Sequence, residues 1–190
     1  PYLLGISAGA GAGATAVIIF GAFTGSPIAP LTFGALLGAV MATLAVGAFA
    51  TAGGGLTPLR LVLSGVVLSA AFSALSSFMV FAGPDPRAAQ SVMFWMLGSV
   101  AGATWVKTLF PLVVLIAVLL FFLVKARHLD ALATGESTAA AVGIDVSRLR
   151  AQVFVLQAVL VGTLVAVSGG IGFVGLVIPH LTRILVGATH

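Results

Sequence analysis

The segment KARHLDALATGESTAAAVGIDVSRLR, residues 125–150, differs sharply from the sequence around it. It contains seven of the twelve charged residues of the chain, and long apolar runs flank it on both sides. Because an ionised side chain is costly to place in hydrocarbon, this segment is predicted to face water while its neighbours face lipid. We interpret it as the one substantial polar segment of a membrane protein, and as the surface through which that protein is driven.

The composition of the whole chain supports this interpretation. Of its 190 residues, 61% are hydrophobic and 6% are charged, and the mean hydropathy is +1.27. Soluble domains carry about 25% charged residues, so lipid is the solvent that suits this surface. The apolar runs are continuous and about 20 residues long, as a spanning helix requires, whereas an outer-membrane barrel would show short alternating strands. The fold class is therefore predicted to be all-α, a polytopic helical membrane protein.

Six spanning helices are predicted, at about residues 3–23, 31–50, 59–81, 105–124, 151–168 and 173–187. Turns rich in glycine and proline separate several of them. The apolar stretch 90–102 is too short to span and carries an aromatic pair, Phe94 and Trp95, so it is predicted to be a short helix at the membrane interface. The amino end has neither a start Met nor a basic leader, so we expect a fragment of a longer chain.

The basic residues predict the orientation of the spans. Six of the eight fall on the side where spans two, four and six end: Arg60, Lys125, Arg127, Arg148, Arg150 and Arg183. Arg87 and Lys107 fall on the opposite side. Because cytoplasmic loops are enriched in Lys and Arg, segment 125–150 is predicted to be cytoplasmic and the turn 83–87 external. The same clustering accounts for the net charge of +4 without a nucleic-acid partner.

The sequence offers no set of residues for catalysis or metal binding. It has no cysteine, and His128, His180 and His190 lack the spacing of metal ligands. A G-x-S-x-G pattern at residues 5–9 opens an apolar helix with no acid nearby, unlike a hydrolase nucleophile. No phosphate-binding loop is present, so ATP would have to bind another chain. We therefore predict no catalytic residue and no metal site.

Small and hydroxylated residues mark three of the predicted spans. Glycines at 5, 9, 11 and 13 and a Gly34-xxx-Gly38 pair would let spans one and two approach closely. Span three carries serines at i, i+4, i+7 and i+8, which share one helix face: Ser69, Ser73, Ser76 and Ser77. These hydroxyls could bond to neighbouring helices or to their own backbone, or they could line a polar translocation path. The sequence leaves both interpretations open.

Within the polar segment the pattern predicts two short helices. Asp130 can cap the first and Gly135 can end it, while Glu136 suits the start of the second and Gly143 its end. The second helix is mostly alanine, and so short a helix is marginal without a partner. The segment could be a plain solvated loop, but a docking surface for a cytoplasmic subunit accounts better for capped, alanine-rich helices.

Four strings of the sequence resemble the FecCD-type permeases, the membrane subunits of ABC importers for iron-siderophores, haem and vitamin B12. The strings cover nearly the whole chain in order: LLGISAGA at 3–10, FWMLGS at 94–99, GESTAAAVGIDVSRLR at 135–150 and SGGIGFVGLVIPHLTRILVGATH at 168–190. The resemblance implies ten spans per subunit, of which this chain would be spans three to eight. It also implies a partial transmembrane domain over residues 1–190, with a cytoplasmic coupling segment at 126–150.

The same resemblance implies partners and location. We expect a second permease subunit, identical or related, two ABC ATPase subunits that bind ATP and Mg, and an extracytoplasmic substrate-binding protein. The chain itself is expected to bind no cofactor directly. It would be a multi-pass protein in the lipid of the cytoplasmic (inner) membrane of a bacterium or archaeon.

Roles for particular residues follow from the resemblance. Two coupling helices that contact the ATPase would cover about residues 129–143, with Leu129, Leu132, Gly135, Glu136, Ala140 and Gly143. The loop 52–58 resembles a cytoplasmic gate, with Gly53, Gly54, Gly55 and Thr57. Span three would line the central path, in agreement with its serine face. The I-P-H-x-x-R string, with Pro179, His180 and Arg183, is interpreted as structural, a substrate or proton site being the alternative.

The expected function is therefore import of a metal chelate, with an iron(III)-siderophore first and haem or cobalamin as alternatives. An ion-coupled secondary transporter is the rival class, but such proteins couple through buried carboxylates or broken helices at mid-membrane, and all four acids of this chain lie in predicted loops. An intramembrane enzyme lacks a catalytic set. The sequence does not identify the chelate.

Overall fold

A computed structural model describes residues 4–21, 30–52, 57–170 and 174–186. These residues form α-helices and no strand, which confirms the predicted all-α class. The helices, in chain order, are α1 (Ile6–Phe20), α2 (Pro30–Ala52), α3 (Pro58–Ala82), α4 (Pro86–Leu97), α5 (Trp105–Ala133), α6 (Glu136–Ala141), α7 (Val146–Ser168) and α8 (Val174–Val186).

Four of these helices are long and apolar enough to cross a membrane: α2, α3, α5 and α7, with 23 to 29 residues each. They correspond to predicted spans two to five. Helices α1 and α8 have 15 and 13 residues. The predicted first and sixth spans, 3–23 and 173–187, extend into residues outside the described ranges.

Side-chain caps explain where three helices begin. The Thr57 hydroxyl accepts a hydrogen bond from the backbone N–H of Arg60 (3.4 Å), and Pro58 occupies the first turn of α3. Asp85 caps α4 through the N–H of Arg87 (2.9 Å). Asp145 caps α7 through the N–H of Arg148 (3.0 Å). These caps start α4 and α7 four to five residues before the predicted positions 90 and 151.

The predicted end of the fourth span is wrong. We predicted that the span stops near residue 124 and that Asp130 caps a separate short helix. Instead, α5 continues without a break through Lys125 to Ala133, so Asp130 lies inside its last turns. The continuous run of good helix formers after Val124, with neither glycine nor proline before Gly135, accounts for the extension. Interface helix α4 likewise ends at Leu97, not at residue 102.

Helices α1 and α2 pack antiparallel with almost no side chain between them. A Cβ added at Gly9 would lie 2.5 Å from the carbonyl oxygen of Gly38, and one at Gly34 would lie 2.9 Å from the carbonyl oxygen of Gly13. Added Cβ atoms at Gly13 and Gly38 would come still closer to the facing carbonyls. The predicted close approach of spans one and two is therefore confirmed. Such contacts replace hydrophobic burial, which does not drive association between helices in lipid.

Helix α7 extends this small-residue core. It runs antiparallel to α2: Gly162 faces Ala39, and Phe154 faces Gly47 toward the other end. The central cluster is built largely of alanines from α1, α2 and α7, together with Ile6 and Val165. A second cluster, with Val46, Ala50, Leu61 and Phe154, joins α2, α3 and α7 at the end where α3 and α7 begin.

We expect Gly38→Ala to lower the stability of the permease, because the new methyl group would collide with the backbone of Gly9. Overpacking of this kind costs about 1–3 kcal/mol. Gly47→Ala is the matched control in the same helix, since its methyl group would lie 3.7 Å from Phe154, an ordinary contact. The measurement is the thermal unfolding midpoint of the purified protein in detergent. Equal midpoints for the two variants would contradict the packing described above.

Candidate functional site

The polar segment folds into a compact turn between the ends of α5 and α7. Leu129 and Leu132 are half-buried in the last turns of α5. Gly135 separates α5 from α6 with φ of +133°, a backbone conformation that residues with a Cβ rarely adopt. The predicted break at Gly135 is confirmed, whereas the first of the two predicted short helices is the end of α5 itself.

Helix α6 has the ends that the sequence predicts. Glu136 is its first residue. Gly143, with φ of +83°, donates its N–H to the carbonyl of Ala140 (3.0 Å), and Ile144 donates to Ala139 (3.1 Å). This pair of bonds is a Schellman motif, which satisfies carbonyls that a helix end would otherwise leave unpaired. This six-residue helix is therefore closed at its C-terminal end.

One face of α6 is buried and the other is open. Ala139 has 0% of its surface exposed, so α6 rests on the protein through this side chain. Ala140, Ala141 and Gly143 are exposed, and Val142 is 67% exposed. Ser137 and Thr138 are exposed as well, so the open face carries small side chains, both polar and apolar, with Glu136 at its start. We call the exposed residues 136, 140, 141, 142 and 143 the α6 surface.

An ion pair fastens α6 to α7. The Arg150 guanidinium contacts a carboxylate oxygen of Glu136, and the two side chains are 15% and 59% exposed. The carboxylate also lies at the start of α6, where the helix dipole favours negative charge. Sequence reasoning assigned Glu136 to this helix end but did not find its partner, because a pair fourteen residues apart across a turn has no periodic signal.

The four serines on one face of α3, which we call the serine stripe, differ in burial. Ser76 is buried, and its hydroxyl donates to the carbonyl of Phe72 in the same helix (3.0 Å). Ser69 is half-buried beside Gly5 of α1. Ser73 and Ser77 are exposed. Backbone bonding, one of the two interpretations of this stripe, therefore describes Ser76, while Ser73 and Ser77 remain available to a polar path.

The other predicted site residues are placed only in part. Gly53, Gly54 and Gly55 lie outside the described residues, and Thr57 caps α3. Pro179, His180 and Arg183 are in α8, where the His180 and Arg183 side chains are exposed. Among the described residues, no group of three His, Cys, Asp or Glu side chains could hold a metal ion.

A close backbone contact between α4 and the end of α7 was not predicted. Ser99 donates its N–H to the carbonyl of Ser168 (2.7 Å), and Gly170 donates to Trp95 (3.4 Å). Gly98, with φ of +70°, meets the Gly170 carbonyl so closely that a Cβ there would collide with it. We call this contact the outer clasp. The strings FWMLGS and SGG carry its glycines, but sequence alone did not pair them.

Comparison with known proteins identifies the family. The model of the FecCD transport family matches residues 1–190. The chain belongs to the FecCD transport family. This confirms the resemblance seen in the sequence. Two curated relatives align over the whole chain: the molybdate import system permease protein MolB of Haemophilus influenzae (36% identical, 55% of its length) and the cobalamin import system permease protein BtuC of Halobacterium salinarum (35%, 50%).

One further FecCD relative is named for hemin transport in Yersinia pestis; it is 34% identical over 69% of this chain and 39% of its own length. Another is named for iron(3+)-hydroxamate import in Bacillus subtilis; it is 36% identical over 72% of this chain and 40% of its own length. A solved structure described as an inward-facing metal-chelate type ABC transporter superposes with a TM-score of 0.88 at 35% identity, over all of this chain and 59% of that one.

The chain spans about half the length of the curated relatives that align with all of it. These FecCD relatives are permeases of bacteria and an archaeon, and four helices of the chain are long enough to cross a bilayer. The chain is therefore a multi-pass protein of a prokaryotic cell membrane, as predicted.

We expect Glu136→Gln to loosen α6 without unfolding the permease. The lost ion pair is partly exposed, and such pairs contribute about 0–1 kcal/mol, which corresponds to up to about fivefold faster amide exchange over residues 136–142. Hydrogen–deuterium exchange with mass spectrometry measures this rate. Ser137→Ala, at the exposed neighbouring residue, is the matched control and should leave this exchange rate unchanged. Identical exchange in both variants would show that the ion pair does not hold α6.

Proposed function

We propose that this chain is the membrane-spanning part of a permease subunit of an ABC importer that carries a metal chelate. The observation that supports the proposal best is the α6 surface: a short helix, closed at its C-terminal end by a Schellman motif, that exposes small side chains and is joined to the spanning helix α7 by an ion pair. Family membership supports the same class of transporter. In this proposal the chain is not an enzyme, and ATP is hydrolysed with Mg on a separate ATPase subunit.

The α6 surface suits a helix that inserts into a groove of another protein. Small side chains at Ala140 and Ala141 let a partner approach the helix backbone, and Val142 offers apolar contact. Only residues 142–145 separate α6 from α7, and the ion pair between Glu136 and Arg150 adds a second contact, so a displacement of α6 would be passed to the start of α7. We therefore propose that Leu129, Leu132, Gly135, Glu136, Ala140 and Gly143 form or position the surface that the ATPase contacts.

The exposed part of the α3 stripe supports a role in the translocation path. Ser73 and Ser77 lie 40° apart on α3 viewed down its axis, and exposed Ala70 and Ala74 lie beside them. In hydrocarbon a serine hydroxyl can bond only to its own helix, as Ser76 does, whereas a second subunit or a hydrated path would offer Ser73 and Ser77 further partners. We propose that it faces the path between two permease subunits. The loop before Thr57 is proposed as the cytoplasmic gate, and a binding protein would deliver the substrate on the opposite side.

The substrate is proposed at two levels. The class is a metal chelate, which agrees with the structural neighbour and with relatives named for cobalamin, hemin and iron(3+)-hydroxamate. Within that class, we propose an iron(III)-siderophore as the first substrate to test. A bulky chelate needs a wide path with few charges, and α3 has no ionised side chain after Arg60. The molybdate relative shows that the family also includes a permease named for a small oxyanion.

We expect Ala140→Trp to abolish docking of the ATPase, because the indole would occupy the space that the partner backbone needs. Co-purification of the ATPase with the complete permease should fall by about tenfold or more, as loss of a tightly packed contact implies. Ala103→Trp is the matched control, since Ala103 is also exposed but lies beyond the outer end of α4. Equal co-purification of both variants would contradict the assignment of the α6 surface.

Uptake into proteoliposomes tests the transport class in the same preparation. With the ATPase and binding protein present, uptake of a ferric hydroxamate should require ATP and persist when an ionophore collapses the proton gradient. Cobalamin, haem and molybdate are measured in parallel to decide the substrate. Uptake that is independent of ATP and stopped by the ionophore would favour a secondary transporter and overturn the proposal.

A further inference from the structure

Two adjoining cavities lie between α5 and α7 where these helices enter the cytoplasmic side. The first, an open cavity of about 380 Å³, is lined by Lys125 and His128 of α5, by residues 143–145 of the linker, and by Arg148, Leu149 and Gln152 of α7. Most of its lining surface is polar. It lies on the side of the membrane that the basic residues mark as cytoplasmic.

The second cavity, of about 430 Å³, continues the first toward the membrane interior. It shares Arg148 and Gln152 with the first, and its other walls are Phe121, Ala151, Val155 and Leu156. Phe121 lies one helical turn before Lys125 on α5, and Val155 and Leu156 lie one turn after Gln152 on α7. Its lining is mostly apolar. The two cavities therefore change from polar to apolar along the membrane normal.

The polar cavity is set up to receive an anion. Among the described residues, neither Lys125 nor Arg148 forms an ion pair. Asp145, the one carboxylate among the residues that line this cavity, already accepts the backbone N–H of Arg148 (3.0 Å) as the cap of α7. The Nδ1 atom of His128 is buried and has no hydrogen-bond partner in the described part of the chain. Buried nitrogens are normally paired, so this atom is an unsatisfied polar group in the wall of the cavity.

We propose that this pair of cavities binds one anionic phospholipid of the cytoplasmic leaflet. Its phosphate would contact Lys125 and Arg148, with the His128 ring in the wall of the same cavity, and an acyl chain would lie along Phe121, Ala151 and Val155. Basic pockets between spanning helices on the cytoplasmic side suit phospholipid head groups. A soluble anion would match only the polar cavity, and an acyl chain alone would match only the apolar one. The lipid would pack against the helices that carry α6, so its binding would stiffen the α6 surface.

The test uses the complete transporter, with its ATPase, in detergent with phosphatidylglycerol or phosphatidylcholine added. Native mass spectrometry counts the lipids that remain bound. We expect one tightly held phosphatidylglycerol, and its occupancy should fall by about tenfold or more in a Lys125→Gln/Arg148→Gln variant, because charge-assisted bonds are lost. Arg127→Gln is the matched control: Arg127 is exposed on α5 but does not line the cavity. It should bind phosphatidylglycerol as the unchanged protein does.

Two further measurements distinguish a bound phospholipid from a soluble anion in the same cavities. Ala151→Trp fills the apolar cavity and should lower phosphatidylglycerol occupancy while leaving the charges in place. Inorganic phosphate at millimolar concentration should not displace the lipid. Displacement by phosphate, with no effect of Ala151→Trp, would make this a site for a soluble anion. Equal retention of phosphatidylglycerol and phosphatidylcholine in all variants would overturn the proposal. So would the absence of any retained lipid because the ATPase covers the cavities. Neither result would bear on ATPase docking at Ala140.

Discussion

The backbone contact between α1 and α2 is the constraint on which the rest of the structure depends. Four glycines bring these helices so close that a single methyl group would strike a carbonyl oxygen. Hydrophobic burial cannot hold helices together in lipid, so stability here must come from close packing of small residues. Helix α7 continues the pattern through Gly162 against Ala39, which fixes its position relative to α2. Close backbone packing therefore joins α1, α2 and α7 in the middle of the bundle.

Helix α7 connects the two ends of this packed bundle. At the end predicted to be cytoplasmic, Arg150 contacts Glu136 of α6, and at the opposite end Ser168 accepts a hydrogen bond from Ser99 beyond α4. A helix of 23 residues is about 35 Å long, which matches the hydrocarbon core and its edges. Helix α6 and the outer clasp thus contact opposite ends of α7, so a tilt of α7 would displace both.

Much of this could be predicted from the sequence, because lipid imposes simple rules. Apolar length predicted the four long helices of the described residues, and the Gly135 and Gly143 positions predicted the ends of α6. The orientation given by the basic residues stays a prediction. The continuation of α5 through Asp130 was missed, since a charged residue inside a helix looks like a cap when only its neighbours are considered.

Contacts between distant segments lay beyond such reasoning. The Glu136–Arg150 pair, the outer clasp and the paired cavities each depend on how helices lie beside one another, and no local periodicity records that. The serine stripe shows the same limit. Its periodicity places four hydroxyls on one face, but only the packing of α1 on α3 decides that Ser76 is buried while Ser73 is exposed.

The central claim is that α6 is the point at which a cytoplasmic ATPase drives this bundle. The chain has no cysteine, so a disulfide crosslink from Ala140→Cys is a direct test. The complete permease would be co-expressed with an ATPase carrying single cysteines around its membrane-facing groove, and Ala88→Cys on α4 would serve as the control. A disulfide formed from position 140 and not from 88 is the predicted result. No disulfide from position 140 at any groove position would contradict the account.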